Sequence, residues 1–285
     1  MKAFQILSAL LFSNLIFSSP AFAHDPSWSE PHAPFQITDH IYSVGTKGIG
    51  VYLITTPEGH ILIDGSTEEG ANVVETNIKS LGFKLNDIKY LLENHAHSDH
   101  VGGLAQLKKS IGAKLLTSKN DRKALEKGAH TGDNENGPTK FPAVKVDRVV
   151  ADGEQIKLGG ISLQAVFTPG HTEGATSWLT QDTIKGADHS VFFLSSITVA
   201  GNRLINNKVS PKIVEDYRNS FARAKAIQAD ILLIGHPPFI NHDEKYEAQK
   251  NGKADAFVNP NELKEFVAKA EIAFEAELEK QKKSK

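Results

Sequence analysis

Leu91-Leu92-Glu93-Asn94-His95-Ala96-His97-Ser98-Asp99-His100 carries more chemistry than any other stretch of the chain. The run Ile88–Leu92 reads as a buried strand, and it leads directly into His95-x-His97-x-Asp99-His100. In extended backbone, residues two apart point to the same side, so His95 and His97 face one cation together. Asp99 and His100, placed after the turn begins, face a second.

Two further histidines occupy comparable places. His171 follows Thr168-Pro169-Gly170 at the end of a strand expected over Ile161–Phe167. His236 follows the run Ile231–Ile234 through Gly235, and Pro237 after it biases it toward an extended conformation. The chemistry suggests a division of ligands. His95, His97 and His171 make a neutral three-nitrogen site with an open fourth position, the arrangement of a catalytic zinc. Asp99, His100 and His236 hold a second zinc beside it. Two Zn2+ ions about 3.5–4 Å apart bridge a hydroxide at near-neutral pH, so a hydrolase built this way needs no protein nucleophile. A structural zinc site instead closes with four ligands, often thiolates.

Composition leaves the histidines as the only soft-to-borderline metal ligands. The 285 residues include 12 His and no Cys, which excludes disulfides, thiol nucleophiles, iron–sulfur clusters and thiolate metal sites. Lys and Arg number 32 against 34 Asp and Glu, for a formal charge of −2, so there is no electrostatic footprint for nucleic acid. The other histidines (His24, His32, His40, His60, His130, His189 and His242) lack ligand spacing and are expected on the surface or in loops.

Residues 1–23 read as an export signal: Lys2, an apolar run over 6–17, and the small-x-small end Pro20-Ala21-Phe22-Ala23. The apolar run is shorter than the roughly 20 residues a bilayer requires and is interrupted by Ser8, Ser13 and Asn14, so no membrane anchor is expected. The mature chain, 24–285, is expected to be a single catalytic domain.

Within it, short strands are expected at 41–44, 51–55, 61–63, 88–92 and 114–117, with helices near 69–81 and 103–111. Residues 128–142 carry Gly, Asn, Asp and Pro without periodicity and read as a long loop. The second half repeats the style, with strands at 149–150, 156–158, 161–167, 177–180, 191–194 and 231–234, and a helix at 211–226. A C-terminal helix opens at Asn259-Pro260, with the apolar stripe Leu263, Phe266, Val267, Ala270 and Phe274. Strands followed by helix in each half imply an α/β architecture of two β-sheets packed face to face with helices outside.

The motifs His95-Ala-His97-Ser-Asp99-His100 and Thr168-Pro-Gly-His171-Thr172 resemble the metallo-β-lactamase superfamily, which implies an αβ/βα four-layer sandwich over nearly the whole mature chain. Trp28-x-x-Pro31-x-x-Pro34-Phe35, Gly174-x-Thr176-x-Trp178 and Val214-Glu-Asp-Tyr217-Arg218-x-Ser220-Phe221 look like the third subclass of class B β-lactamases, and His236-Pro237 fits the same pattern. The resemblance implies the ligand division above. It implies further that Ser196 and Thr198 hydrogen-bond the carboxylate of the substrate. Lactonases and glyoxalase II-like thioesterases of the superfamily carry a bridging Asp at the position of Ser196, and the other class B subclasses carry a Cys there. Thr198 stands where the third subclass often has Ser.

The expected function is therefore hydrolysis of the β-lactam amide of penicillins, cephalosporins and carbapenems by a metal-bound hydroxide, conferring antibiotic resistance. Asp99 is the catalytic carboxylate, orienting that hydroxide. The expected partner is a small β-lactam, and the protein is expected to be a monomer in the periplasm. A lactone or thioester hydrolase is the alternative. A zinc-buffering protein without turnover is a third reading, disfavoured by the open ligand position.

Overall fold

Side chains alternate along each strand, and both faces of both sheets are apolar, so each sheet must be covered twice. The structure, a computed structural model, describes residues 25–284. The expected export signal lies outside the described residues.

The first sheet has seven strands in sequence order: β1 (Phe35–Gln36), β2 (Ile41–Ser43), β3 (Tyr52–Thr56), β4 (Gly59–Ile63), β5 (Ile88–Leu92), β6 (Lys114–Ser118) and β7 (Arg148–Val150). The first four form an antiparallel meander. From β4 to β7 the pairing is parallel. Parallel neighbours need a crossover, supplied by α1 (Ala71–Ser80) before β5 and α3 (Leu104–Ile111) before β6. The second sheet has five strands: β8 (Gln155–Leu158), β9 (Ile161–Phe167), β10 (Thr176–Ile184) and β11 (Ala187–Leu194), all antiparallel, with β12 (Ile231–Ile234) parallel to β11 at its edge.

Alternation assigns the layers. Tyr52 and Ile54 of β3 join Trp178, Phe193, Ile231 and Leu233 in the core between the sheets. Leu53, one residue out of phase, packs with Val74, Ile78, Leu104 and Leu107 under α1 and α3. On the far side, Leu232 and Ile234 pack against α5 (Ile213–Ala226) and α7 (Glu262–Lys283) through Tyr217, Phe221, Leu263, Val267 and Phe274. These are the four layers expected from the sequence. Phe266 and Ala270 of the expected stripe pack against the same core while partly buried.

Two helices depart from expectation. α4 (Lys119–Lys127) is mostly charged, with only Ala124 and Leu125 buried among its apolar residues, so its periodicity is faint. Ser118 caps its start, its hydroxyl accepting from the Asp121 amide. α6 (His242–Lys250) likewise carries little apolar character, with His242 its one buried residue. Residues 128–142 hold no helix or strand, as expected, though two isolated bridges, Ala129 to Lys140 and Asn134 to Asn202, tie them down.

The sheets are stitched together at one end. Asn94, just past β5, offers its carbonyl to the Thr176 amide at the start of β10 (2.8 Å) and to the Ser195 hydroxyl just past β11 (2.9 Å). The Tyr52 hydroxyl donates to the Ile234 carbonyl at 2.8 Å, and the Gly50 amide to the Gly235 carbonyl at 2.9 Å. The C-terminal ends of β5, β9, β11 and β12 thereby open onto the same space.

Candidate metal centre

His95 and His97 lie between β5 and the short helix α2 (Ser98–Val101), which carries Asp99 and His100. Asp64, just past β4, shapes this turn. Its carboxylate accepts from the Asn94 amide (2.7 Å) and side chain (3.0 Å) and faces His100 Nδ1 at 3.2 Å. Asp121 of α4 accepts from the Ala96 amide (3.0 Å), the Thr172 hydroxyl (2.9 Å) and the Gly174 amide (3.1 Å). One buried carboxylate therefore fixes both the His95–His97 segment and the His171 loop. Burial pushes the Asp121 carboxyl up, against those hydrogen bonds.

The structure brings the six expected ligands into two groups. Ligand atoms of His95, His97 and His171 lie within 4.8 Å of one another, as do those of Asp99, His100 and His236. In the second group, His100 Nε2 is 3.2 Å from Asp99 Oδ2 and 3.3 Å from His236 Nε2, and His236 Nε2 is 3.4 Å from Asp99 Oδ2. Donor atoms about 2.0–2.1 Å from a tetrahedral zinc are spaced about 3.3 Å apart, so these three atoms already have the required edges. In the first group, both ring nitrogens of His95 are buried without a hydrogen-bond partner. Orphaned buried polar atoms are rare and costly, and a cation between the three rings would satisfy one of them. The residues present thus fit a pair of metal ions.

Electrostatics divides the two groups. Burial pulls His95 and His97 well below the ordinary histidine value and His171 down to about 3, so all three present neutral imidazoles. Burial opposes charge at His100 too, but Asp99 and Asp64 outweigh it and hold His100 up at about 10. Asp99 resists the upward pull of burial because His100 and His236 face it, and it lies well below the usual carboxylate range.

Ser196 and Thr198 follow β11 beside His171. The Ser196 hydroxyl lies 3.2 Å from His171 Nδ1 and 3.1 Å from the Thr198 hydroxyl. Each of the Trp28 and Phe239 rings lies 5.8 Å from His236 between centroids, and Phe239 is 53% exposed at the rim. Two glycines admit close approach: a Cβ at Gly235 would sit 2.4 Å from the His100 ring, and one at Gly170, where φ is +135°, 2.8 Å from the Tyr217 ring.

The expectation for two other histidines is corrected: His60 in β4 and His242 in α6 are buried in regular structure, not on the surface or in loops. His130 lies in a loop as expected, but it is buried and its ring stands 4.4 Å from that of His97, beside the first candidate group. No spacing rule links residues 97 and 130, so only the fold could show this. Asp64 and Asp121 were equally invisible, because a lone Asp carries no periodicity.

Known proteins agree with this geometry. A family model described as the metallo-β-lactamase superfamily matches residues 45–183. A solved subclass B3 metallo-β-lactamase of Bradyrhizobium japonicum is 42% identical with a TM-score of 0.86, the alignment covering 91% of this chain and 98% of that one. The chain belongs to the metallo-β-lactamase superfamily. A metallo-β-lactamase of Cronobacter sakazakii, described by a HARLDQ motif, is 39% identical with a TM-score of 0.85, covering 90% of this chain and 97% of that one. Here the motif reads His95-Ala-His97-Ser-Asp99-His100, whose His95, His97, Asp99 and His100 are candidate ligands. Among curated superfamily relatives, a hydroxyacylglutathione hydrolase of Rhodopseudomonas palustris is 29% identical over 46% of this chain and 43% of its own length. A β-lactamase-like protein 2 homologue of Caenorhabditis elegans is 24% identical over 68% of this chain and 58% of its own. The chain spans about half the length of these curated relatives. Among the described residues, no helix is long and apolar enough to cross a membrane.

Proposed function

We propose that this chain hydrolyses the β-lactam amide of penicillins, cephalosporins and carbapenems with two zinc ions, and so confers antibiotic resistance. The observation that carries the reading is the pair of hydroxyls, Ser196 and Thr198, beside His171 at the end of β11. Lactone and thioester hydrolases of the superfamily need a carboxylate at the position of Ser196. The solved B3 relatives, at 30–42% identity over nearly their whole length, support it further.

Two zinc ions bound in these groups would polarise the amide carbonyl and supply an acidified water near neutral pH. The chain's own residues do the rest. Ser196 and Thr198 donate to the carboxylate that β-lactams carry, holding the ring over the site. Asp99, whose carboxyl His100 and His236 hold well below the usual carboxylate range against the pull of burial, orients the attacking water. His95, His97 and His171 stay neutral and so keep lone pairs for ligation. The N-terminal Trp28 and the rim residue Phe239 form apolar walls beside His236. Export to the periplasm and a monomeric state belong to the same proposal.

The deciding experiment mixes zinc-loaded protein with a carbapenem and follows ring opening by absorbance, with and without EDTA. Metal-dependent turnover is expected. Intact drug beside protein holding two zinc ions would transfer the reading to lactone or thioester hydrolysis, which the hydroxyacylglutathione hydrolase relatives favour.

A further inference from the structure

The loop after β11 buries the amide side chain of Asn202, which no ligand assignment uses. Asn202 is 2% exposed, and its Nδ2 lies 2.9 Å from the His171 carbonyl, 3.2 Å from the Gly170 carbonyl and 3.1 Å from the Tyr217 hydroxyl. The Tyr217 hydroxyl donates to the Thr198 carbonyl at 2.8 Å. That carbonyl also receives the His171 ring, from Nδ1 at 2.7 Å. With its proton spent on Thr198, the Tyr217 oxygen accepts from Asn202. The amide orientation follows, since a flipped group would aim its oxygen at two carbonyls.

We infer that Asn202 is a positioning residue for the three-histidine site, holding His171 at both its backbone and, through Tyr217 and Thr198, its ring. The relay commits Nδ1 as a donor and leaves Nε2 with the lone pair that a metal needs. Asn202 is itself anchored from two sides. Its Oδ1 accepts from Asn134 of the 128–142 loop at 3.2 Å, and its carbonyl accepts from Gln281 near the end of α7 at 3.0 Å. The Gln281 Oε1 closes the link by accepting from the Leu204 amide at 2.8 Å. Beneath, the Tyr217 ring fills the space a Cβ at Gly170 would need, and Ser220 donates to the Pro169 carbonyl at 2.7 Å. His171 is thus registered to α5, α7 and the loop that carries His130.

The inference rests on His171 as a ligand of the first metal, not on any substrate. It is tested with cobalt, whose visible spectrum reports ligand geometry, in two backgrounds of the full chain. Asp99→Ala isolates the three-histidine site and His171→Ala the other. In the first background, Asn202→Ala is expected to weaken cobalt binding about 10- to 100-fold and shift its absorption, the usual effect of losing an outer hydrogen-bond partner. Tyr217→Phe, which keeps the ring, is expected to act in the same direction by a smaller factor. In the second background, both substitutions leave the affinity unchanged. Equal losses at the two sites, tracking a lowered unfolding midpoint of the metal-free protein, would overturn the inference in favour of a merely structural role. Unchanged binding at the three-histidine site would overturn it as well. Failure of the unsubstituted protein to bind cobalt at either site would remove the metal centre itself and the inference with it.

Discussion

His95 and His242 are both buried imidazoles, 1% and 3% exposed, and burial drives both far below the ordinary histidine value. Each also has ring nitrogen without a partner: both nitrogens in His95, Nε2 in His242. What differs is their company. The His242 ring lies 5.2 Å from Phe35 and 5.3 Å from Phe257 in an aromatic cluster, and among the described residues it joins no group of three convergent donors. The His95 ring lies 4.2 Å from His100, 4.5 Å from His171 and 5.0 Å from His97. Burial and an orphaned nitrogen are therefore not the signature of a metal site. Convergence of donor atoms is. His242 sits among aromatic rings, whereas around His95 converge the donor atoms that a cation would need.

The comparison breaks most readily at Asp99. Asp99→Ala is expected to lower kcat by more than about a thousandfold and to halve bound zinc, because a ligand outweighs a single transition-state donor; His242→Phe leaves zinc content unchanged. Metal analysis beside steady-state rates checks both, and two zinc ions retained with full rate in Asp99→Ala would end the assignment.

Chelation comes next. With free zinc at about a thousand times its dissociation constant, each site adds about 4 kcal/mol to stability. EDTA is thus expected to lower the melting temperature of the wild type and of His242→Phe alike.

The pH test separates the two histidines. His242 has its folded value depressed to about 3, so its neutral form is favoured in the native state. Its contribution is fully present above the unfolded value near 6.5 and is lost as pH falls from there toward 3, at about 1.4 kcal/mol per pH unit. Going from pH 7 to pH 5, metal-free His242→Phe should gain about 2 kcal/mol on the wild type in urea unfolding. A constant gap between the two proteins would show that His242 does not titrate on unfolding. The smallest effect is expected at Ser196→Ala: a rise in KM of about tenfold with kcat nearly intact, as for uniform binding of substrate and transition state. A selective fall in kcat would instead place that hydroxyl in the chemistry.

The site was legible where ligands cluster in sequence or end a strand, as His95, His97, Asp99, His100, His171 and His236 do. The layers were legible because strands followed by helix in each half imply two sheets with helices outside. Helices α4 and α6 were not, since polar helices with few buried residues leave no stripe to read. Nor were the supports. Asp64, Asp121, Asn202 and Tyr217 act through hydrogen bonds spanning 15–53 positions, which only the folded chain brings together. The place of His130 beside His97 went unseen because a histidine in an irregular loop carries no pattern, whatever ring it meets.

His97 belongs to the first sheet's loops and His171 to the second's, yet their rings stand 4.6 Å apart. A metal ion joining them would fasten the sandwich across its open end as a cross-link would, closing a long stretch of chain. In a protein without cysteine, such a fastening would yield to chelators and acid, be indifferent to reductants, and couple mechanical integrity to the supply of metal.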